Sequence, residues 1–163
     1  MTYNLTRIGT GLDVHAFADG VPLWLGGVQI PHTRGLAGHS DGDVAIHALI
    51  DALLGASGRG DIGEWFPSSD ERWRGARGAE LLRTVWTALL AEGWQFGNAD
   101  LTIVASAPRL APYRDPMRQA LAGALGVPRE RVSVKFTTTD GLGPLGTGDG
   151  AMALASALLT RRL

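Results

Sequence analysis

The period of the apolar positions changes several times along this chain, and each change marks an element. Residues 7–15 alternate, with Ile8, Thr10, Leu12 and Val14 on one face and Arg7, Gly9, Gly11, Asp13 and His15 on the other. That is the two-residue period of a strand. Leu23 to Pro31 holds two short apolar runs about Gly26-Gly27, the form of a hairpin. Ser40 with a carboxylate three residues on at Asp43 has the form of a capping box. It opens a helix carrying Ile46, Leu49, Ile50, Leu53 and Leu54 at helical spacing, with its stop near Gly55. Residues 56–78 read as a long loop rich in Gly, Ser, Arg and Trp, and loops of that length are usually functional or disordered.

A second amphipathic helix follows, with Leu81, Leu82, Val85, Trp86, Leu89 and Leu90 on one face and Gly93 as its stop. Leu101 to Val104 is a β-branched strand, residues 112–126 a third helix, and residues 132–137 alternate as another strand. The tail from Ala151 to Leu159 is ambiguous: its alanines and leucines favour helix, while its position after a strand allows another strand. The order of elements predicts one mixed α/β or α+β domain.

Composition narrows the function. At 163 residues one domain is the default, with enough chain for a proper core. Fifteen basic against sixteen acidic residues argue against a protein that lives on nucleic-acid phosphates. No apolar run approaches the roughly 20 residues of a membrane helix, and the first residues lack the order of a signal peptide. The absence of cysteine removes disulfides, thiolate zinc sites and a cysteine nucleophile. The expectation is a soluble, cytoplasmic chain.

Candidate chemistry lies in three places. Asp13 and His15, two apart on a strand, leave the same face roughly 7 Å apart at Cα and can converge on one ion. His47, on the first helix, has Asp43 and Asp51 one turn to either side, carboxylates that could hold its second ring nitrogen. Two histidines and one carboxylate make three ligands, leaving a fourth position open for chemistry. His39-Ser40 precedes a helix N-terminus, where backbone N–H groups favour an anion; Ser40 as a mere cap is the plainer alternative. Thr137-Thr138-Thr139-Asp140 offers three hydroxyls and a carboxylate before Gly141, a set suited to phosphate oxygens and a hard cation. His32 shows no partner and reads as a surface loop residue.

Residues 7–17, 39–49 and 51–56, Gly60-Asp61-Ile62-Gly63 with Phe66-Pro67, Ala105 to Arg109, and Lys135 leading into Thr137-Thr138-Thr139 together resemble one family. It is that of the 2-C-methyl-D-erythritol 2,4-cyclodiphosphate synthases, of the non-mevalonate isoprenoid pathway. The resemblance covers essentially the whole chain, 1–163, and the block from His39 to Gly63 is its most specific part.

The resemblance implies a single domain of mixed sheet with helices packed on one face, assembling as a homotrimer whose active sites lie between neighbours. It makes the last segment, 151–160, a strand. It implies cyclisation of 4-diphosphocytidyl-2-C-methyl-D-erythritol 2-phosphate with release of CMP. Zn²⁺ would sit on Asp13, His15 and His47, and Mg²⁺ or Mn²⁺ would bridge the substrate diphosphate with Asp140 among its ligands. His39 and Thr138 match residues that steady the transition state. Ser40, Asp61, Ile62, Gly63, Phe66 and Asp70 would contact substrate, with Asp61 and Gly63 on the ribose. The turn Ala105, Ser106, Ala107, Pro108, Arg109, Leu110 and Ala111 would hold cytosine through its backbone, and Thr137 and Thr139 would flank the phosphates.

This sequence departs from its relatives at four points. Ser68 replaces an acid, Asp140 stands for a glutamate, and residues 144 and 147 are Pro and Thr where relatives carry an apolar side chain and an arginine. Two other functions fit the same residues. Two histidines and a carboxylate also form the facial triad of non-haem Fe(II) oxygenases, and a nucleotide-binding module with a structural zinc would use the same motifs.

Overall fold

The computed structural model describes residues 4–162. A five-stranded sheet in the order β4-β1-β7-β5-β6 carries the fold. Its strands are β1 (Asn4–Asp19), β4 (Arg34–Leu36), β5 (Trp94–Val104), β6 (Val132–Thr137) and β7 (Gly150–Arg162). A ribbon of β2 (Leu23–Leu25) and β3 (Val28–Ile30) stands apart. Strand β1 runs antiparallel to β7 from Asn4↔Arg162 to Ala16↔Gly150, β5 is antiparallel to β7, and β6 joins parallel to β5. The helices are α1 (Val44–Ser57), α2 (Ile62–Trp65), α3 (Gly78–Ala91), α4 (Arg114–Leu125) and α5 (Gly143–Thr147). No helix among the described residues is long and apolar enough to cross a membrane.

One face of the sheet is covered by helices and the other is bare. Ala151, Ala153, Ala155, Ala157 and Leu159 of β7 are buried, as are Leu101 and Ile103 of β5 and Val132 and Val134 of β6. Against them lie Leu49, Ile50, Leu53 and Leu54 of α1, Leu82, Val85 and Leu89 of α3, and Leu121 and Leu125 of α4, all buried. Each large side chain so removed from water contributes about 1.5–3 kcal/mol. On β1 the strand pattern is as expected, but its apolar set points outward: Ile8, Leu12 and Val14 are 70%, 56% and 51% exposed. Leu154 of β7 lies opposite Leu12 and is also exposed. Lys135, the sole lysine, pairs with Asp100 at 2.5 Å on this outer face.

The reason is the close approach of α1. A Cβ at Gly9 would stand 1.9 Å from the Ala52 carbonyl oxygen, and one at Gly11 would stand 2.0 Å from that of Ala48. Only glycine lets this strand face receive the helix. Strand alternation alone does not tell which face is buried; here glycine, and not the β-branched set, marks it.

Asp43, fully buried, joins three elements. Its carboxylate accepts the N–H groups of Ala45 and Ile46 at the start of α1 and those of Gly26 and Gly27 in the β2–β3 turn, at 2.7–3.1 Å. Burial and the neighbouring Asp41 push its carboxyl above the ordinary range, and the N–H groups of Gly27, Ile46 and Gly26 pull against that. The turn glycines have φ of +58° and +79°, the left-handed pair of a type I′ hairpin.

Several expected boundaries move. Helix α1 is capped by Asp43, not Ser40, because a carboxylate at that position reaches both N–H groups of the first turn. It runs past Gly55 to Gly58, whose φ of +71° forms the left-handed stop. The 56–78 loop contains α2 and a 3₁₀ turn at Glu71–Trp73. Strands β1 and β5 extend beyond 7–15 and 101–104, and the third helix begins at Arg114 after a 3₁₀ turn at Ala111–Tyr113. The ambiguous tail is strand β7, as the resemblance implies: its alanines are spaced by two on the buried face.

Gly11→Ala should therefore destabilise the protein by about 3 kcal/mol, because the clash is with backbone that moves only if α1 lifts. Urea unfolding measures it; a loss below a few tenths of a kcal/mol would mean that the helix does not sit where the contact requires.

Candidate metal centre and pocket

Asp13 and His15 leave the same face of β1 as Gly9 and Gly11, and His47 comes down from the first turn of α1 to meet them. Asp13 Oδ2 lies 3.0 Å from His15 Nε2 and 3.0 Å from His47 Nδ1. One ligand atom from each residue falls within 4.8 Å of the others. A tetrahedral ion bound at ~2.0–2.2 Å wants its ligand atoms roughly 3.4 Å apart, so the three side chains can share one with small shifts. The donor set of two imidazoles and a carboxylate suits a divalent transition metal or zinc.

The remaining ring nitrogens are occupied. His15 Nδ1 is hydrogen-bonded to the carbonyl oxygen of Ala37, and His47 Nε2 is 2.9 Å from Ser40 Oγ. The carboxylates on either side of His47 do not hold its ring. Asp43 is spent on the hairpin and helix cap, and Asp51 accepts the N–H of Ile62 at 2.7 Å. Helical spacing put them in reach, but backbone N–H groups claim both. Burial would raise the Asp13 carboxyl, but the hydrogen bonds and charges of His15 and His47 hold it well below the ordinary range. Its hydrogen bond with Asp13 raises His15 against its partial burial.

A cavity of about 220 Å³ opens beside the triad, lined by Asp13, His15, His47, His39, Ser40, Ile62, Gly63 and Phe66 together with Ser68, Trp73 and Leu81. His39 Nε2 is tied at 3.2 Å to the carbonyl oxygen of Asp70, and Gly75 N–H donates to His39 O at 2.8 Å, so the 67–77 segment is strapped along the pocket. Trp73 sits edge-on to Phe66 with centroids 4.9 Å apart. Ser68 falls in the 66–70 stretch that the resemblance places along the substrate, whereas sequence reasoning missed Trp73 and Leu81 as wall residues; the helical face of Leu81 and the aromatic content of the loop were the available signals. Asp61 caps α2 through Glu64 N–H at 3.0 Å. Asp70 is taken up by Arg72, whose guanidinium lies 2.6 Å away. Neither lines the cavity.

The second group of predicted residues lies elsewhere in the same chain. Register places Val14 opposite Met152, Met152 opposite Val104, and Val104 opposite Thr137. At ~4.8 Å per strand the metal edge of the sheet and Thr137 are roughly 14 Å apart. At that far edge Thr138 Oγ1 is 3.2 Å from Asp140 Oδ1 and also accepts the Asp140 N–H. The 105–111 turn stands beside it: Ala105 N–H donates to Thr137 O, and Ser106 Oγ donates to the carbonyls of Leu145 and Gly146. The single chain thus carries two separate groups of candidate residues at one end of the sheet.

The YgbB family model matches residues 6–160. A 2-C-methyl-D-erythritol 2,4-cyclodiphosphate synthase of Moorella thermoacetica is 55% identical over 156 residues, 96% of either chain. One of Marinobacter nauticus is 55% identical over 153 residues, 94% of this chain and 96% of the other. A solved synthase of the same name, in a CDP-bound form, superposes with a TM-score of 0.86 at 40% identity, covering 94% of this chain and 99% of that one. Matched by the family model from residue 6 to 160 and 55% identical to a named synthase over 96% of its length, this chain belongs to the YgbB family, that of the 2-C-methyl-D-erythritol 2,4-cyclodiphosphate synthases.

Proposed function

We propose that this chain closes 2-C-methyl-D-erythritol 2,4-cyclodiphosphate from 4-diphosphocytidyl-2-C-methyl-D-erythritol 2-phosphate and releases CMP. The observation that carries the proposal is the Asp13–His15–His47 triad set in the wall of the pocket. The 2-phosphate oxygen attacks the β-phosphorus, and the bond to the CMP oxygen breaks. Both reactants are anionic, so the site must offset charge and hold an in-line geometry. When bound, Zn²⁺ on the triad and Mg²⁺ or Mn²⁺ on Asp140 supply the positive charge that polarises the phosphoryl groups.

The chain's own residues do the rest. His39, tied to Asp70 O, and Thr138, tied to Asp140, present an imidazole and a hydroxyl toward phosphate oxygens. Ser40 adds a hydroxyl, and Thr137 and Thr139 flank Thr138. Ile62, Gly63, Phe66 and the 67–70 backbone shape the side that takes the methylerythritol phosphate. Asp61 and Gly63 face the ribose. The turn from Ala105 through Ser106, Ala107, Pro108, Arg109 and Leu110 to Ala111 reads cytosine by its backbone. The CDP bound by the related synthase supports a cytidine ligand.

The assembly follows from the separation of the half-sites. A reaction that needs both the triad and Thr138–Asp140 cannot use two groups ~14 Å apart on one chain; it uses the triad of one chain and the 105–111 and 137–140 segments of a neighbour. The bare outer face of Ile8, Leu12, Val14 and Leu154 is a surface such neighbours would cover. A homotrimer with three inter-subunit sites satisfies both requirements. A cytoplasmic location belongs to the same proposal.

CMP release from the diphosphocytidyl substrate should proceed in the metal-loaded protein, stop on chelation, and return with added zinc. His47→Ala should remove metal retention and turnover together while leaving a folded oligomer; full activity in that variant would refute the mechanism. Intersubunit sites make a second prediction. Each of His47→Ala and Thr138→Ala should be inactive or nearly so alone, yet refolding them as an equimolar mixture should recover about a quarter of the wild-type sites. No recovery in mixed oligomers would place both half-sites of each reaction on one chain.

A further inference from the structure

We infer that Ser40 is a positioning residue that keeps the His47 ring in its ligand orientation through both proton arrangements of the imidazole. The inference rests on the triad as a metal site and is independent of the reaction proposed for it.

In the structure His47 is held from both ring nitrogens: Nδ1 lies 3.0 Å from Asp13 Oδ2 and Nε2 lies 2.9 Å from Ser40 Oγ. A carboxylate accepts and does not donate. Without a cation, the N–H that faces Asp13 is therefore on Nδ1, and Nε2 presents a lone pair. The Ser40 hydroxyl donates to it. A cation on the Nδ1 lone pair requires the proton on Nε2 instead, and there the serine oxygen accepts. A hydroxyl serves both arrangements; a carboxylate or a carbonyl serves the second alone. The ring can thus exchange tautomers with no rotation and no change of charge. His15 differs: its Nδ1 faces the carbonyl of Ala37, an acceptor only, so that nitrogen carries a proton with or without a cation on the Nε2 side.

Ser40 is itself fixed. Its neighbours are strapped to the following loop by Gly75 N–H to His39 O at 2.8 Å and Asp41 N–H to Ala76 O at 3.1 Å. The Asp41 carboxylate accepts Gly78 N–H at 2.7 Å, at the start of α3. The hydroxyl is delivered to Nε2 by backbone anchored on both sides, while Asp43 and Asp51, the carboxylates nearest in the helix, are committed to backbone N–H groups.

The test uses zinc alone, with no substrate. In competition with a chromophoric chelator, Ser40→Ala should bind zinc about 10–100-fold more weakly than wild type, and Ser40→Thr, which keeps the hydroxyl, should stay within a few-fold of it. Equal affinities for wild type and Ser40→Ala would overturn the inference, as would Ser40→Thr as weak as Ser40→Ala. Imidazole ¹⁵N shifts should place the His47 proton on Nδ1 in metal-free protein and on Nε2 in zinc-loaded protein. A proton on Nε2 in both states would also overturn it. A protein that changed tautomer in this way yet released no CMP would leave this inference standing and defeat the proposed reaction.

Discussion

The approach of α1 to the glycine face of β1 sets the rest of the molecule. Gly9 lies under the carbonyl of Ala52 and Gly11 under that of Ala48. Two residues of strand advance about 6.6 Å and four residues of helix about 6 Å, so the two elements keep step. Running antiparallel, the next step along the strand is Asp13 and the next helical position toward the N-terminus is the turn that carries His47. The triad is the continuation of a packing lattice: the glycines let the helix come close, and the candidate metal ligands begin where the glycines end. The backbones that carry Asp13, His15 and His47 are thus fixed by packing that lies outside the pocket.

Asp43 completes this arrangement by fixing the helix along its axis. A helix resting on glycines can slide; one whose first N–H groups share a carboxylate with the Gly26-Gly27 turn cannot without stripping four donors from a buried acceptor. His47 is four residues beyond that anchor, so its height above β1 is set by the same carboxylate. Asp41 does the corresponding work for α3 by accepting Gly78 N–H. The Asp41-Gly42-Asp43 stretch is therefore a pair of helix anchors on either side of a glycine with φ of +72°, and its position beside the pocket is a consequence of where both helices begin.

Much of this was legible in the residues. The candidate metal triad is suggested by a two-residue spacing on a strand and a histidine on an amphipathic helix, and the contiguous block from His39 to Gly63 adds a specificity that periodicity lacks. What was not legible has a common cause. Asp43, Asp51 and Ser40 are all within helical or loop reach of His47 or of the helix start, and sequence spacing cannot say which polar group a backbone N–H will claim. Three-dimensional neighbours decided it: the hairpin took Asp43, the N–H of Ile62 took Asp51, and Ser40, expected as a cap, was left facing the imidazole. The burial of β1 was hidden for a related reason. Ile8, Leu12 and Val14 carry the apolar signal, yet the helix packs on the other face because side-chain volume, not hydrophobicity, limits how near it can come.

Backbone geometry also accounts for the carboxylate at 140. Asp140 has φ of +52°, the left-handed region that disfavours most side chains and that aspartate and asparagine tolerate best after glycine. A short carboxylate there folds back on its own backbone neighbourhood, and here it reaches Thr138 Oγ1 while its N–H returns a bond to the same hydroxyl. The aspartate thus combines conformational fit with a fixed direction. Thr139 Oγ1 donates to Leu142 O at 2.6 Å and Thr147 Oγ1 to Asp149 Oδ2 at 2.7 Å, so the segment from 137 to 149 is braced by hydroxyls throughout. At 147 the threonine hydroxyl is turned inward to Asp149, making that position a brace of the loop.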